Sequence, residues 1–343
     1  MKKLLSIILA VVMLLTACTP VLACKVGNTT YDDNLEELQA QFVPGKGPET
    51  NGYTIDYSYF SPVEDGDTTK YPLVIWLHGM GDGAYEGKQV TASDIAFWTS
   101  EDFQSRFKGS EGAFIFAPRS PEEDNIYWSD DLIFPLRAAI DDFITQNKDN
   151  IDLSRIYIGG YSMGGKMTLK MAVAYPELFA AIFPICPAWT PSTDALNLIA
   201  DIPVWITSGK LDPLVNYFFS VTPLWEGITE THNSPADCRF SSLTFVKYPS
   251  GNPTSSSHHS WFAVNYDMFS SDNGDYPYMK TVDGNGNTVT LTFPDGMISW
   301  LSGYSRDFDG STATDGGNEE AHQSGEGFLA IVLSAFDSIL TIL

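Results

Sequence analysis

The fold is decided by the stretch Arg155-Ile156-Tyr157-Ile158-Gly159-Gly160-Tyr161-Ser162-Met163-Gly164-Gly165. An apolar run typical of a buried strand leads into Gly-x-Ser-x-Gly at 160–164, and a helical pattern follows over 166–175 and ends before Pro176. A serine on a glycine-rich turn between a strand and a helix is exposed on a tight bend, and the helix N-terminus favours negative charge beside it. The pattern therefore predicts Ser162 as a nucleophile.

Short apolar runs recur through the body of the chain and alternate with helical patterns. The runs lie at 73–77, 113–117, 155–160, 181–185, 204–207 and 243–248, and a longer helix is predicted over 132–146. Apolar runs without polar alternation are typical of strands that are buried on both faces. This order predicts an α/β fold, in which a mostly parallel, doubly wound sheet carries helices on both faces.

Composition excludes two classes of protein. The 343 residues carry 19 Lys and Arg against 43 Asp and Glu, so the formal net charge is −24. Because such a surface repels phosphate, the chain is not expected to bind nucleic acid. An apolar fraction of 43% and an aromatic fraction of 13% are too high for a disordered acidic chain. The length suits one large domain, which we predict at residues 51–305.

The N-terminus has the pattern of a bacterial export signal. Lys2 and Lys3 precede an uncharged apolar stretch at 4–15, and Leu-Thr-Ala then precedes Cys18. This resembles the lipobox of bacterial lipoproteins, so residues 1–17 are expected to be a signal peptide and Cys18 the lipid-bearing residue. The chain would then be exported and anchored in the membrane at the cell surface. Cys24, which follows Val-Leu-Ala, is an alternative anchor, and plain secretion is another outcome.

Three further segments are predicted outside the catalytic domain. Residues 18–50 are expected to be an N-terminal linker, and 306–327 an acidic, glycine-rich linker. Residues 328–343 are strongly apolar, with polar residues at helical spacing, which predicts a C-terminal helix. That helix could lie in the plane of the membrane and aid attachment, or it could dock on the domain or on a partner.

A serine nucleophile needs a base and an acid, and their order in this type of arrangement is serine, acid, histidine. Asp212 follows the predicted strand at 204–207, whereas Asp201 precedes it and is the weaker candidate. His258 and His259 follow Asp212 and the next predicted strand, on a loop rich in Ser, Gly and Pro. One of these two histidines is expected to be the base.

The stretch His78-Gly79-Met80-Gly81 ends an early predicted strand. A glycine-rich turn at this point frees backbone amides, so an amide of Met80 or Gly81 could pair with that of Met163 as an oxyanion hole. His78 itself is expected to hold the loop by hydrogen bonds.

The chain resembles the α/β-hydrolase superfamily. The resemblance rests on residues 77–79, residues 160–165, Asp212 and His258-His259-Ser260-Trp261. Within this superfamily, the chain is similar over about 53–304 to the bacterial feruloyl esterase, polyhydroxybutyrate depolymerase and "predicted peptidase" group. Members often have His-x-x-Trp around the base, which favours His258 over the alternative base His259. The stretch 217–242 is long for the group and leaves the substrate class open.

The resemblance implies an exported serine carboxylesterase with a triad of Ser162, His258 and Asp212. Its substrates would be carbohydrate-linked or aryl esters of the feruloyl or acetyl type. A serine peptidase of the same fold and a non-catalytic surface binding lipoprotein are the alternatives. Three tryptophans could line an aromatic substrate pocket or could pack in the core: Trp128, Trp189 and Trp261.

The remaining residue patterns indicate neither a metal nor a cofactor. No His/Cys spacing is typical of zinc, and the segment that begins Asp-Gly-Asn-Gly at 283 lacks the later Gly and Glu of a calcium loop. Cys186 and Cys238 could form a disulfide in an oxidising compartment, or Cys186 could be a buried free thiol.

Overall fold

A computed structural model describes residues 35–91, 95–121, 127–246, 256–267, 269, 279–291 and 295–306. It also gives the backbone of two short strands, β1 (Lys25–Val26) and β2 (Thr29–Thr30), which pair as a separate antiparallel sheet. Several sequence predictions lie outside the described residues: the signal peptide, the lipid-bearing role predicted for Cys18 or for its alternative Cys24, and the C-terminal helix predicted at 328–343.

One large sheet dominates the described part of the chain. Its nine strands are β3 (Val43–Lys46), β4 (Asp56–Phe60), β5 (Tyr71–Leu77), β6 (Phe114–Arg119), β7 (Ile151–Tyr161), β8 (Ala181–Ile185), β9 (Trp205–Gly209), β10 (Arg239–Leu243) and β11 (Met279–Asp283). Their order is β11-β10-β9-β8-β7-β5-β6-β4-β3. Six neighbouring strands run parallel to one another: β10, β9, β8, β7, β5 and β6. Strand β11 is antiparallel to β10, β4 to β6, and β3 to β4.

Helices cover both faces of this sheet. They are α1 (Leu35–Ala40), α2 (Lys88–Thr91), α3 (Glu101–Gln104), α4 (Ile133–Gln146), α5 (Met163–Ala174), α6 (Thr193–Leu198), α7 (Thr222–Thr231), α8 (Trp261–Asn265) and α9 (Met297–Leu301). Buried side chains of α4, α5, α6 and α7 join one hydrophobic cluster, and those of α1, α2, α3, α8 and α9 join the other. The predicted doubly wound α/β fold is therefore confirmed.

Strand β5 shows why the apolar runs lack alternation. Leu73, Ile75 and Leu77 pack in one cluster, whereas Val74 and Trp76 pack in the other. All seven residues of the strand are buried. Because successive side chains of a strand point to opposite faces, a strand covered by helices on both sides must be apolar at every position.

The predicted domain boundary at residue 51 is too late. Strand β3 forms the edge of the large sheet by pairing with β4, and Leu38 of α1 is buried in one of the two clusters. This part was missed because a short, exposed edge strand has little apolar pattern. At the other end, Arg306 is docked: its N–H donates to the carbonyl of Ser154 at 2.8 Å, so the domain includes this residue.

The predicted strand at 243–248 is also misplaced. The observed strand β10 ends at Leu243, where the predicted one begins. Its polar residues misled the sequence interpretation, because their hydroxyl groups are satisfied inside the sheet. Ser241 Oγ accepts a hydrogen bond from Trp205 Nε1 at 2.9 Å and lies 2.7 Å from Thr281 Oγ1. Buried polar groups are tolerated when such partners exist.

The described residues decide whether Cys186 and Cys238 form a disulfide and whether a described helix could span a membrane. Cys186 and Cys238 are both buried free thiols, and they lie in different clusters, on opposite faces of the sheet. No helix among the described residues is both long and apolar enough to cross a membrane.

Candidate active site

Ser162 occupies a strained turn between β7 and α5. Its φ of 56° and ψ of −115° are unfavourable for a residue with a side chain, so the surrounding packing must hold them. Two backbone hydrogen bonds fix the residue: its N–H donates to Ile185 O at 2.9 Å, and its carbonyl accepts from Ala188 N at 3.1 Å. Helix α5 begins at the next residue, three positions earlier than predicted.

The glycines of the motif are needed because the end of β5 packs directly against the turn. A Cβ at Gly160 would lie 2.2 Å from the carbonyl oxygen of Leu77, and one at Gly164 would lie 2.1 Å from the same atom. Both distances are far below van der Waals contact with a backbone atom that cannot move freely. The Gly-x-Ser-x-Gly pattern is therefore a packing requirement that fixes the position of Ser162.

Asp212 and His258 form a buried pair. Asp212 follows β9, and its Oδ2 lies 2.7 Å from His258 Nδ1. Its other oxygen, Oδ1, accepts the backbone N–H groups of Leu214 at 2.8 Å and Val215 at 2.9 Å. Because an ionised carboxylate only accepts, Nδ1 carries a proton, and in the neutral ring Nε2 is left as a proton acceptor.

Opposing effects act on the pKa of His258. Burial disfavours the charged imidazolium, but the hydrogen bond and charge of Asp212, with a contribution from Cys186, outweigh it and raise the pKa above its usual value. The neighbouring His259 behaves differently. Burial and the positive charge of His258 lower the pKa of His259.

The described segment around His258 is capped before this residue and docked on the domain after it. Ser256 Oγ accepts the N–H of His258 at 3.1 Å and begins the short 3₁₀ helix Ser257–His259. Helix α8 follows directly, and the carbonyl of Asn265 at its end accepts Trp98 Nε1 at 3.0 Å. Just beyond it, the buried Asp267 carboxylate pairs with Arg106 at 3.2 Å. The base candidate is thus held against the rest of the domain.

Ser162 and His258 line the same surface cavity, which has a volume of about 370 Å³. One wall is aromatic: the rings of Tyr161 and Trp261 are 4.1 Å apart between centroids. Three of the other lining residues are apolar, and the remaining four are polar or titratable. The complete lining is Met80, Asp82, Tyr161, Ser162, Leu214, His258, His259, Trp261 and Phe262.

The His78 to Gly81 turn lies at the end of β5, beside this cavity. Met80 lines the cavity, and Gly81 has a φ of +90°, which a side chain would disfavour. His78 is buried, its Nε2 accepts Ser120 N–H at 3.0 Å, and burial lowers its pKa to about 4. A neutral His78 that holds the turn agrees with the structural role expected for it.

Two of the three predicted pocket tryptophans are not among the residues that line this cavity. Trp128 is fully buried, and its Nε1 donates to the carbonyl of His78 at 2.9 Å, so it supports the turn from inside the core. Trp189 lies against Lys170, whose Nζ is 5.1 Å from the ring centroid. Only Trp261 of the three lines the cavity, and none of the lining residues comes from the long stretch 217–242.

Sequence reasoning missed four lining residues and one neighbour of the pair. Asp82 follows the predicted oxyanion turn, Tyr161 directly precedes Ser162, Leu214 lies two residues after Asp212, and Phe262 directly follows Trp261. Their closeness to motif residues was the available signal. Cys186 Sγ contacts the His258 carbonyl at 3.5 Å, and the separation of 72 residues gave no such signal.

The strand order, the serine turn and the buried acid–histidine pair define the class of protein: the chain has the α/β-hydrolase fold, and the comparisons with known proteins support its place in the α/β-hydrolase superfamily. A family model described as "Phospholipase/Carboxylesterase" matches residues 125–237, which include Ser162 and Asp212.

Three known proteins illustrate the similarity. Feruloyl esterase B of Neurospora crassa is 30% identical over 133 residues, which are 36% of this chain and 41% of that protein. Poly(3-hydroxyalkanoate) depolymerase C of Paucimonas lemoignei is 29% identical over 130 residues, 37% of this chain and 30% of that protein. A crystal structure of a thermostable esterase is 25% identical and has a TM-score of 0.57, and the match covers 79% of this chain and 64% of the esterase chain. The chain thus spans less than half the length of the curated relatives.

Proposed function

We propose that the chain is a serine carboxylesterase that cleaves carboxylic esters through an acyl-enzyme. The observation that carries this proposal is the 2.7 Å contact between His258 Nδ1 and Asp212 Oδ2, with Ser162 and His258 on one cavity. Ser162 would be the nucleophile, His258 the general base and Asp212 the residue that orients the ring and stabilises its charged form.

The proposed reaction has two halves. Ser162 Oγ attacks the ester carbonyl carbon while His258 Nε2 accepts its proton, and this proton then passes to the departing alcohol. The negative oxygen of the intermediate would be held by the amide of Met163 and by that of Met80 or Gly81. Water, activated by the same histidine, then releases the acid and restores Ser162.

For the substrate, we propose an aryl or carbohydrate-linked ester with a bulky apolar part. The aromatic and apolar walls of the cavity support this, as do the large apolar side chains exposed nearby along the chain. Leu214, Phe218 and Phe219, all in the segment after Asp212, are between 65% and 83% exposed. Side chains of this kind favour substrates that cover them. Two relatives also carry the names feruloyl esterase B and poly(3-hydroxyalkanoate) depolymerase C.

A substrate panel with an active-site probe tests the proposal. The full chain is offered p-nitrophenyl acetate, methyl ferulate and peptidyl amides, and is labelled in parallel with a fluorophosphonate. We expect covalent labelling and turnover of both esters, with a higher kcat/KM for methyl ferulate than for p-nitrophenyl acetate. Amide turnover without ester turnover would favour a serine peptidase. The absence of both labelling and turnover would favour a non-catalytic binding protein.

Replacing Asp212 by asparagine should lower kcat by about 10⁴-fold, because the ring loses its orientation and the correct tautomer. The pH profile should move as well. The carboxylate raises the pKa of His258, and turnover needs the unprotonated ring, so removing the charge shifts the acid limb of kcat/KM to lower pH. The measurement is kcat/KM for p-nitrophenyl acetate between pH 4 and 9. An unshifted limb would contradict the assignment of Asp212.

Leu214→Ala should weaken the binding of bulky esters and spare small ones. Leu214 lines the cavity, so removing its side chain should raise KM for methyl ferulate by about ten-fold, while KM for p-nitrophenyl acetate changes little. Leu211→Ala is the matched control, since Leu211 is also largely exposed, at 61% against 75% for Leu214, but does not line the cavity. Equal effects of both substitutions would argue against a specificity role for Leu214.

We further propose that the chain is an exported lipoprotein anchored through Cys18. The support is the sequence of residues 2–18 alone: a basic start, an apolar stretch and Leu-Thr-Ala-Cys. Under this proposal the hydrolase acts on esters outside the cytoplasm, at the membrane surface. The apolar stretch at 328–343 would aid attachment if it lies in the plane of the membrane.

A further inference from the structure

Cys186 is a buried thiol that the proposed mechanism does not use. It follows β8 directly, is fully buried and has a φ of +34°. Its N–H donates to the carbonyl of Thr207 at 2.8 Å, which ties its backbone to β9. Its Sγ lies 3.5 Å from the carbonyl oxygen of His258. The thiol is therefore held beside the acid–histidine pair.

Three donor groups meet at this point. One atom each from Cys186, Asp212 and His258 lies within 4.8 Å of the others, and all three residues are buried. Thiolate, imidazole and carboxylate are the protein ligands of Zn²⁺, at about 2.3 Å for sulfur and about 2.0 to 2.2 Å for nitrogen and oxygen. Ligands of one tetrahedral ion then lie about 3.3 to 3.8 Å apart, so inward shifts of about 1 Å suffice.

We propose that Cys186, Asp212 and His258 form a binding site for a thiophilic divalent cation such as Zn²⁺ or Cd²⁺, whose occupation inhibits the hydrolase. The inhibitory part rests on the proposed function, since it concerns the same histidine. The three ligands leave a fourth position for water, which is the coordination typical of a zinc site with three protein ligands.

The proton balance explains the inhibition. The ion binds the deprotonated thiol, so the Cys186 S–H proton goes to solvent as the metal–sulfur bond forms. Nδ1, the ring nitrogen that faces Asp212, gives its lone pair to the ion, and the remaining ring proton moves to Nε2. A protonated Nε2 cannot accept the proton of Ser162. The ion also binds the Asp212 carboxylate, which can then no longer stabilise the charged ring of His258.

The charge of the protein favours entry of a cation. His258 lines the cavity on one side and the metal ligands lie behind its ring, so the cavity provides the approach. Asp82 lines the same cavity, and the whole chain carries a formal charge of −24. A strongly negative protein raises the local concentration of cations around it.

Cadmium binding to the full chain tests the site directly, because a cadmium–thiolate bond has its own ultraviolet charge-transfer absorption. We expect a saturable signal from Cys186 in the wild type, which Cys186→Ala removes and Cys238→Ala keeps. Cys238 is the matched control, since it is also a buried free thiol but lies in the other cluster. Cys18 and Cys24 are common to all variants and cancel in the difference spectra. Cys186→Ser is the second variant if Cys186→Ala unfolds, as judged by circular dichroism.

Inhibition is the second readout. Cd²⁺ and Zn²⁺ should inhibit ester turnover by the wild type and by Cys238→Ala, and a chelator should restore it. Each variant is compared with its own metal-free rate. Cys186→Ala should need at least about ten-fold more metal than the wild type for half inhibition, because a group that supports the metal has been removed. Equal sensitivity of Cys186→Ala and the wild type, or a signal that follows Cys238, would overturn the proposal. If no test ester is turned over, the proposed function fails, while the absorption still decides the metal site.

Discussion

Ser162→Ala is expected to lower kcat for ester hydrolysis by roughly 10⁶-fold, because the acyl-enzyme can no longer form. The physical reason lies in the turn: its strained backbone and the close approach of Leu77 hold Ser162 on the cavity that His258 also lines. Alanine fits the same backbone, so the fold should remain. The measurements are kcat for p-nitrophenyl acetate and covalent labelling by a fluorophosphonate.

Ser305→Ala is the control for this substitution, since Ser305 is exposed and does not line the cavity. It should be labelled and should turn over ester as the wild type does. Ser162→Ala can still hydrolyse ester faster than the uncatalysed reaction in water without contradicting the proposal. The oxyanion donors remain and contribute roughly 10³-fold to 10⁴-fold on their own. Undiminished labelling of Ser162→Ala would show that another residue is the nucleophile.

The core of the fold could be predicted because two-sided burial leaves a visible mark in the sequence. Runs such as 73–77 and 181–185 are apolar at every position, and they became β5 and β8. The edges of the sheet could not be predicted in the same way. Strand β3 is largely exposed, and β10 tolerates the buried polar Ser241 because its hydroxyl bonds to Trp205 and Thr281. Edge and polar strands depend on partners that only the folded chain supplies.

The site followed the same rule. Ser162 was predictable because the turn constrains its neighbours in sequence, and Asp212 and His258 were predictable because each follows a strand at the same edge of the sheet. The tryptophans carried no such local constraint, and Trp128 serves the core instead. Cys186 could not be linked to His258 at all, since the topology of β8, β9 and the base loop brings them together across 72 residues.

The choice between two adjacent histidines gives the sharpest test of the base. His258→Ala should lower kcat by roughly 10⁶-fold, about as much as loss of the nucleophile, because serine and histidine act as a unit. His259→Ala should keep kcat within about ten-fold, since His259 contacts the rings of Trp261 and Phe262 and its pKa is lowered, without a carboxylate partner among the described residues.

Chemical rescue separates a lost base from a damaged fold. His258→Ala leaves a space in the cavity that Ser162 lines. It also leaves a carboxylate whose Oδ1 still accepts the amides of Leu214 and Val215, so Asp212 should stay in place. Added imidazole should then occupy that space and restore part of the turnover in His258→Ala, with no effect on Ser162→Ala. If His259→Ala were the inactive and rescued variant, the 2.7 Å pair with Asp212 would be structural and His259 would be the base.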